Sequence, residues 1–163
     1  MNIFTNVWLH PKLTTRYVIE HKTVLFSMIL VVVGFMASGI LTFQDSNLYP
    51  DVPYFWILFV MLLAAPIFGT LLFFIAAGIT YLCGKLLKGT GSFWEIVQAI
   101  SLGYIPTIVI CPLYIIWLIA SPESLLVADY SNGFSILMAI VSFISGIWSF
   151  VITVGAVSEA HQF

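Results

Sequence analysis

Residues 84–119 read GKLLKGTGSFWEIVQAISLGYIPTIVICPLYIIWLI, a basic, glycine-rich segment that continues into a long apolar one. Ser92 and Glu95 have the spacing of a capping box, in which each side chain bonds a free backbone N–H at the start of a helix. No charged residue occurs from Ile96 to Ile119, and this run is long enough to cross a bilayer. The stretch therefore predicts a membrane-spanning helix that follows a basic loop.

The composition of the whole chain indicates an integral membrane protein. Of its 163 residues, 61% are hydrophobic and only 7% are charged, whereas about 25% of the residues in a soluble domain are charged. Too few charged side chains are present to cover a water-exposed surface, so lipid must cover most of it. The net charge of -2 and the lack of a basic face argue against nucleic acid as a partner.

Four long apolar segments predict an all-α protein with a single polytopic membrane domain over residues 1–163. The predicted spans cover residues 24–43, 55–83, 96–119 and 134–157. In the preceding segment, residues 1–23, Pro11 suits the first turn of a short helix, which we expect to lie at the membrane interface. The second span is longer than a bilayer requires, and Pro66 predicts a kink in it because proline removes a backbone hydrogen bond.

The distribution of charge predicts the orientation of these spans. All five basic residues fall before the first span or between the second and third, at Lys12, Arg16, Lys22, Lys85 and Lys88. The other two loops carry only acids, namely Asp45, Asp51, Glu123 and Asp129. Since basic residues are retained on the inner side of a membrane, we expect the N-terminus and the loop 84–95 to be cytoplasmic in a multi-pass protein of the cell membrane.

The residues typical of catalysis and metal binding are missing from the predicted spans. No span interior contains Asp, Glu, Lys, Arg or His, so no catalytic residue, metal site or cofactor is predicted. The glycine-rich segment lacks the order of a phosphate-binding loop, and it is interpreted as a flexible turn with cationic anchors. Four residues are candidates for contacts with lipid headgroups or a partner: Lys12, Arg16, Lys85 and Lys88.

Two prolines in the third span allow two interpretations. Pro106 and Pro112 weaken helical hydrogen bonding, and the freed carbonyl groups need a partner in protein or in a water-filled cavity. The span could simply bend, or it could border a polar cavity. In the second case the candidate lining residues are Gln98, Ser101, Tyr104, Pro106, Thr107 and Pro112.

Small residues follow one face of the fourth span. Ser142, Gly146, Ser149 and Thr153 occur at positions i, i+4, i+7 and i+11, which share one side of a helix. Such a stripe is more typical of helix packing than of a substrate path, so these residues are predicted to form a helix-packing seam.

Several short patterns together resemble one membrane-protein family. They are Trp8, Pro11, Thr14 and Arg16 before the first span, GKLLKGTGSF at 84–93, Pro106 in the third span, and Trp148 with Glu159 near the end. In order and spacing they are similar to the bacterial branch of the Yip family, the Ypt/Rab-interacting-protein membrane domain. The resemblance implies a helical protein that usually has five spans, so the four predicted here would be either the first four of such a domain or the spans of a short member. The Asp-Leu-Tyr-Gly-Pro signature expected in eukaryotic members does not occur.

The resemblance leads to two functional hypotheses and supplies no catalytic residues. The first is a non-catalytic accessory or scaffold subunit that binds other membrane proteins or itself, in an export system of envelope defence. The second is a small-molecule or lipid transporter that acts alone or as a homo-oligomer. An intramembrane enzyme ranks last, because it would need ionisable groups or metal ligands within the spans.

Overall fold

The structure, a computed structural model, describes residues 2–47, 51, 53–127 and 132–162. Within these ranges every regular element is helical, and four helices are long and apolar enough to cross a membrane. These are Val24–Phe43, Phe55–Leu86, Phe93–Ala120 and Gly133–His161, which are called the first to fourth spans below. The expectation of an all-α membrane protein is therefore confirmed. Asp129, one of the predicted loop acids, lies outside the described residues.

Two short helices precede the first span. Helix α1 (Ile3–Asn6) begins where the Asn2 side chain accepts a hydrogen bond from the Phe4 N–H, at 3.1 Å. Helix α2 (Pro11–His21) has its proline in the first turn, as the sequence predicts. The residues Thr14, Thr15 and Val18 are buried, because α2 packs against the third and fourth spans.

The first two spans each contain an irregular turn. The first span consists of α3 (Val24–Gly39) and a 3₁₀ turn (Ile40–Phe43). The second consists of α4 (Tyr54–Phe59), a π turn (Val60–Ala64) and α5 (Ala65–Leu86). The π turn lies directly before Pro66, whose nitrogen cannot donate a helical hydrogen bond. The irregularity thus occurs where the proline was expected to disturb the helix.

The third span begins with the predicted capping box. The Glu95 N–H donates to Ser92 Oγ at 3.3 Å, and the Ser92 N–H donates to a carboxylate oxygen of Glu95 at 2.6 Å. The span then consists of α6 (Phe93–Ser101), a 3₁₀ turn (Leu102–Tyr104) and α7 (Ile105–Ala120). The short helix α8 (Pro122–Leu126) follows, and α9 (Gly133–His161) forms the whole fourth span.

Small residues let the spans approach one another closely. The first span packs against the second and third spans, and the third span also packs against the fourth. A Cβ atom on Gly39 would lie 2.8 Å from the Met61 Cα, and one on Gly69 would overlap the ring of Phe35. A Cβ atom on Gly34 would overlap Tyr104 in the third span. These glycines therefore let the first span lie close against the second and third spans.

Candidate functional site

One end of the bundle brings together all the basic side chains of the chain. Here the first and third spans begin and the second and fourth spans end, and α2 packs against two of them. We call this the basic end, after Lys12, Arg16, Lys22, Lys85 and Lys88. It also contains Glu20, Glu95 and Glu159. Charged groups that are far apart in sequence thus share one surface of the molecule.

An open polar cavity lies in the surface of the basic end. Its volume is about 600 Å³, and its lining consists of Arg16, Ile19, Glu20, Glu95, Glu159, Ala160 and Gln162. The three carboxylates come from three elements: α2, the third span and the fourth span. We call this space the basic-end cavity. Its lining offers three carboxylates and one guanidinium group, and is therefore acidic although the surrounding surface is basic.

Two of the three carboxylates in the basic-end cavity already hold neighbouring groups. Arg16 contacts one oxygen of Glu159 through Nε at 2.7 Å and through Nη2 at 2.5 Å, and so joins α2 to the fourth span. Glu95 accepts the Ser92 N–H within the capping box. Among the residues that the structure describes, the Glu20 carboxylate approaches only the ring of His21, at 3.9 Å, and more than half of its side chain is exposed. Glu20 is therefore the acid most available to another molecule.

The glycine-rich loop forms a cradle around His161. A Cβ atom on Gly84 or Gly89 would overlap the imidazole ring, and one on Gly91 would overlap the carbonyl oxygen of Ala160. The Thr90 N–H donates to the His161 carbonyl at 3.1 Å, and His161 itself is buried. The prediction of a flexible turn is therefore wrong, because the glycines provide space for packing. The close spacing of Gly84, Gly89 and Gly91 is the feature of the sequence that could have predicted this packing.

The six residues predicted to line a polar cavity do not lie around one space. Gln98 is buried, and its amide donates to the carbonyl of Lys22 at 3.0 Å, so it ties the third span to α2. Ser101 is also buried and donates to the carbonyl of Gln98 at 2.7 Å. Pro106 is packed inside the bundle, whereas Pro112 lies on its exposed side.

Only Tyr104 and Thr107 of the predicted set share a cavity. It is open, has a volume of about 290 Å³, and also contacts Ser149 and Thr153 of the fourth span. It lies between the third and fourth spans, with Ile100, Gly103 and Phe150 completing its lining. The six residues therefore do not form the predicted polar cavity. Two of them line a small depression where the third and fourth spans touch.

The predicted packing seam of the fourth span is divided in the structure. A Cβ atom on Gly103 would overlap Thr153 Oγ1, so the third and fourth spans touch there. The Thr153 hydroxyl donates to the carbonyl of Ser149 at 2.8 Å, and the Tyr114 hydroxyl donates to Ser142 Oγ at 3.2 Å. Gly146 is exposed, with no atom near the place of its missing Cβ. Gly146 therefore takes no part in packing against the third span.

Metal-binding geometry does not occur in the part of the chain that the structure describes. No group of three or more His, Cys, Asp or Glu residues there is placed to hold a metal ion. Cys83 and Cys111 are both free thiols.

Comparison with known families now identifies the type of domain. The family model described as the Yip1 domain matches residues 5–163. The chain belongs to the Yip1 domain family. The resemblance inferred from the short sequence patterns is therefore confirmed, whereas the assignment to a bacterial branch stays a prediction. Neither the curated proteins nor the solved structures contain a match to the chain.

In this Yip1 domain, the patterns that carried the resemblance, apart from Pro106 inside the bundle, meet at or near the basic end. The Trp148 indole N–H donates to the carbonyl of Trp8 at 3.1 Å, next to the N-terminal helices. Farther along the fourth span, a Cβ atom on Gly155 would lie 3.1 Å from Pro11 Cγ. The Arg16–Glu159 pair and the glycine cradle complete the set. These patterns thus join the N-terminal segment, the glycine-rich loop and the fourth span.

Proposed function

We propose that this Yip1-domain protein is a non-catalytic accessory subunit that holds another membrane protein through its basic end. The observation that carries the proposal is the basic-end cavity, an open space of about 600 Å³ walled by charged side chains from three helices. We further propose that this end faces the cytoplasm, because it contains all the Lys and Arg residues of the chain.

The polar groups between the ends of the spans support a contact role over transport. Gln98 and Ser101 bond to neighbouring backbone carbonyls, and the Trp117 indole donates to Ser124 Oγ at 2.9 Å. The bonds of Gln98 and Trp117 join neighbouring helices, and the bond of Ser101 lies within its own helix. Transport of a small polar molecule would call for a polar passage, whereas the depression beside Tyr104 and Thr107 has about 290 Å³ and the two larger ones among the spans, of about 360 and 590 Å³, are lined mainly by apolar side chains. The transporter hypothesis therefore has less support.

The charge of the basic-end cavity suggests the chemistry of the partner. Membrane proteins concentrate Lys and Arg in their cytoplasmic loops, at the depth where this cavity would lie. A basic side chain from such a loop would meet the carboxylate of Glu20, which has a mostly exposed side chain and no close bond to a cation. The resemblance to bacterial family members points to an export system as the class of partner. Lys12, Lys85 and Lys88 remain candidate contacts around the cavity.

The test is crosslinking of the full chain at native expression level in its own host, followed by mild solubilisation and mass spectrometry. We expect one membrane protein to be captured in a fixed ratio to this chain. Glu20→Gln should reduce that capture severalfold, because it removes the available carboxylate. Glu123→Gln is the matched control, since it makes the same change at an exposed residue at the other end of the bundle.

Two results would overturn the proposal. One is recovery of self-crosslinked chains only, which would favour an independent homo-oligomer. The other is an equal loss of partner for Glu20→Gln and Glu123→Gln, which would place the contact away from the basic-end cavity.

A further inference from the structure

The four residues Lys85, Leu86, Leu87 and Lys88 form an unusual exposed segment at the end of the second span. Leu86 and Leu87 are 84% and 71% exposed, although they lie where a membrane helix ends. A lysine stands on each side of the two leucines. The segment therefore presents apolar and cationic side chains together, outside the packed part of the bundle.

Neither lysine of this segment is neutralised by a carboxylate in the part of the chain that the structure describes. The Lys85 ammonium lies 3.2 Å from the carbonyl oxygen of Thr90 and 5.5 Å from the centre of the Tyr81 ring. Lys88 has a backbone φ of 68°, the left-handed region, and its side chain is exposed. Two positive charges thus remain available at a defined place.

The glycine cradle holds the segment in this orientation. Gly84 and Gly89 flank the four residues, and both are buried against the ring of His161. The Gly89 N–H donates to the carbonyl of Gly84 at 2.8 Å and closes the loop. Because both flanks are fixed on the inside, the four intervening side chains point away from the bundle.

We infer that Lys85–Lys88 is a preorganised anchor for an anionic phospholipid in the leaflet at the basic end. The leucines would enter the boundary of the acyl chains, and the lysine ammonium groups would meet the lipid phosphate. Each lysine at such a surface strengthens binding of an anionic lipid by about fivefold. This inference goes beyond the proposed function, because the anchor lies on the loop rather than in the basic-end cavity.

Native mass spectrometry of the detergent-solubilised full chain, titrated with phosphatidylglycerol, measures the affinity for the first bound lipid. We expect Lys88→Gln to weaken that affinity by about fivefold. Lys22→Gln removes the same charge at the C-terminal end of α2 and should leave the affinity nearly unchanged. Phosphatidylcholine should bind more weakly than phosphatidylglycerol to the unaltered chain. The affinity for phosphatidylcholine should be the same in the two variants.

Three outcomes would overturn the inference. Equal affinity of the unaltered chain for the two lipids would show that the loop does not select anionic headgroups. Equal losses for Lys88→Gln and Lys22→Gln would indicate a general effect of net charge. Displacement of phosphatidylglycerol by millimolar inorganic phosphate would identify a phosphate site that needs no lipid. None of these outcomes depends on capture of a protein partner, so this inference and the proposed function can fail separately.

Discussion

The two ends of the bundle are closed in different ways. At the end opposite the basic end, residues 44–47 pair with α8: the Asp45 N–H donates to the carbonyl of Leu125 at 3.0 Å, and the Asn47 N–H to that of Leu126 at 2.9 Å. Leu125, Leu126 and Trp117 are buried there in one apolar cluster. Backbone pairing and apolar packing therefore close the described part of this end, and an open apolar depression of about 360 Å³ lies beside them, lined in part by Ile40, Met61 and Leu118.

The basic end is held by side chains and keeps an open cavity. Its ties are the Arg16–Glu159 pair, the amide of Gln98 and the ring of His161. Between them the basic-end cavity and the exposed segment Lys85–Lys88 remain accessible. One end is thus held by backbone pairing and apolar packing and the other by polar side chains, and we propose that only the second leaves a surface for contact.

Trp117→Ala should have the largest effect on stability. Trp117 is 2% exposed and its indole bonds Ser124, so its removal leaves a cavity in the closed end. We expect a loss of about 3–5 kcal/mol in the free energy of unfolding, measured by denaturation in mixed micelles. Trp94→Ala is the control, because Trp94 is 51% exposed and should contribute much less. Similar losses for the two variants would contradict the description of the closed end.

Gly84→Ala should have the next largest effect and acts at the basic end. The new Cβ would overlap the imidazole of His161, and overpacking of this kind costs about 1–3 kcal/mol. Gly78→Ala is a matched control in the same helix, with no atom within 4 Å of its Cβ position. Since alanine is the better helix former, that control should be neutral or stabilising in the same unfolding measurement. Equal stability of the two variants would disprove the cradle.

The Arg16–Glu159 pair should contribute least to stability. The Arg16 side chain is 61% exposed, and ion pairs in contact with water contribute about 0.2–1 kcal/mol. A double-mutant cycle with Arg16→Gln and Glu159→Gln should give a coupling energy within that range. A coupling of several kcal/mol would show that the pair carries the attachment of α2. In that case the packing of Thr14, Thr15 and Val18 would contribute less to the attachment of α2 than the burial of these residues suggests.

Local patterns in the sequence predicted the fold well. The apolar runs, the Ser92–Glu95 capping box and Pro11 are signals that act within one or two helical turns, and the corresponding helices occur in the structure. The observed third span, Phe93–Ala120, starts three residues before its predicted beginning at 96, since the capped first turn is helical as well. A capped helix start therefore marks a boundary better than the onset of the apolar run does.

The contacts of the site could not be predicted in this way, because they join distant parts of the chain. Arg16 and Glu159 are 143 positions apart, and the Gln98 amide reaches a carbonyl 76 positions away. The polarity of Gln98 suggested that it lined a cavity. In the structure α2 packs beside it, and the carbonyl of Lys22 accepts a hydrogen bond from its amide. His161 lacked a local signal beyond the three glycines that turn out to surround its ring.

Site-specific photo-crosslinking tests the central claim most directly, namely that the basic end is the contact surface for another membrane protein. A photoreactive residue would replace Gln162, an exposed residue in the lining of the basic-end cavity, in one version of the full chain and Glu123 in another, both expressed in the native host. We expect one discrete crosslinked membrane protein from position 162 and none from position 123, because Glu20 keeps its carboxylate in both versions. Crosslinks to the same protein from position 123 alone, or to lipid alone from both positions, would contradict it.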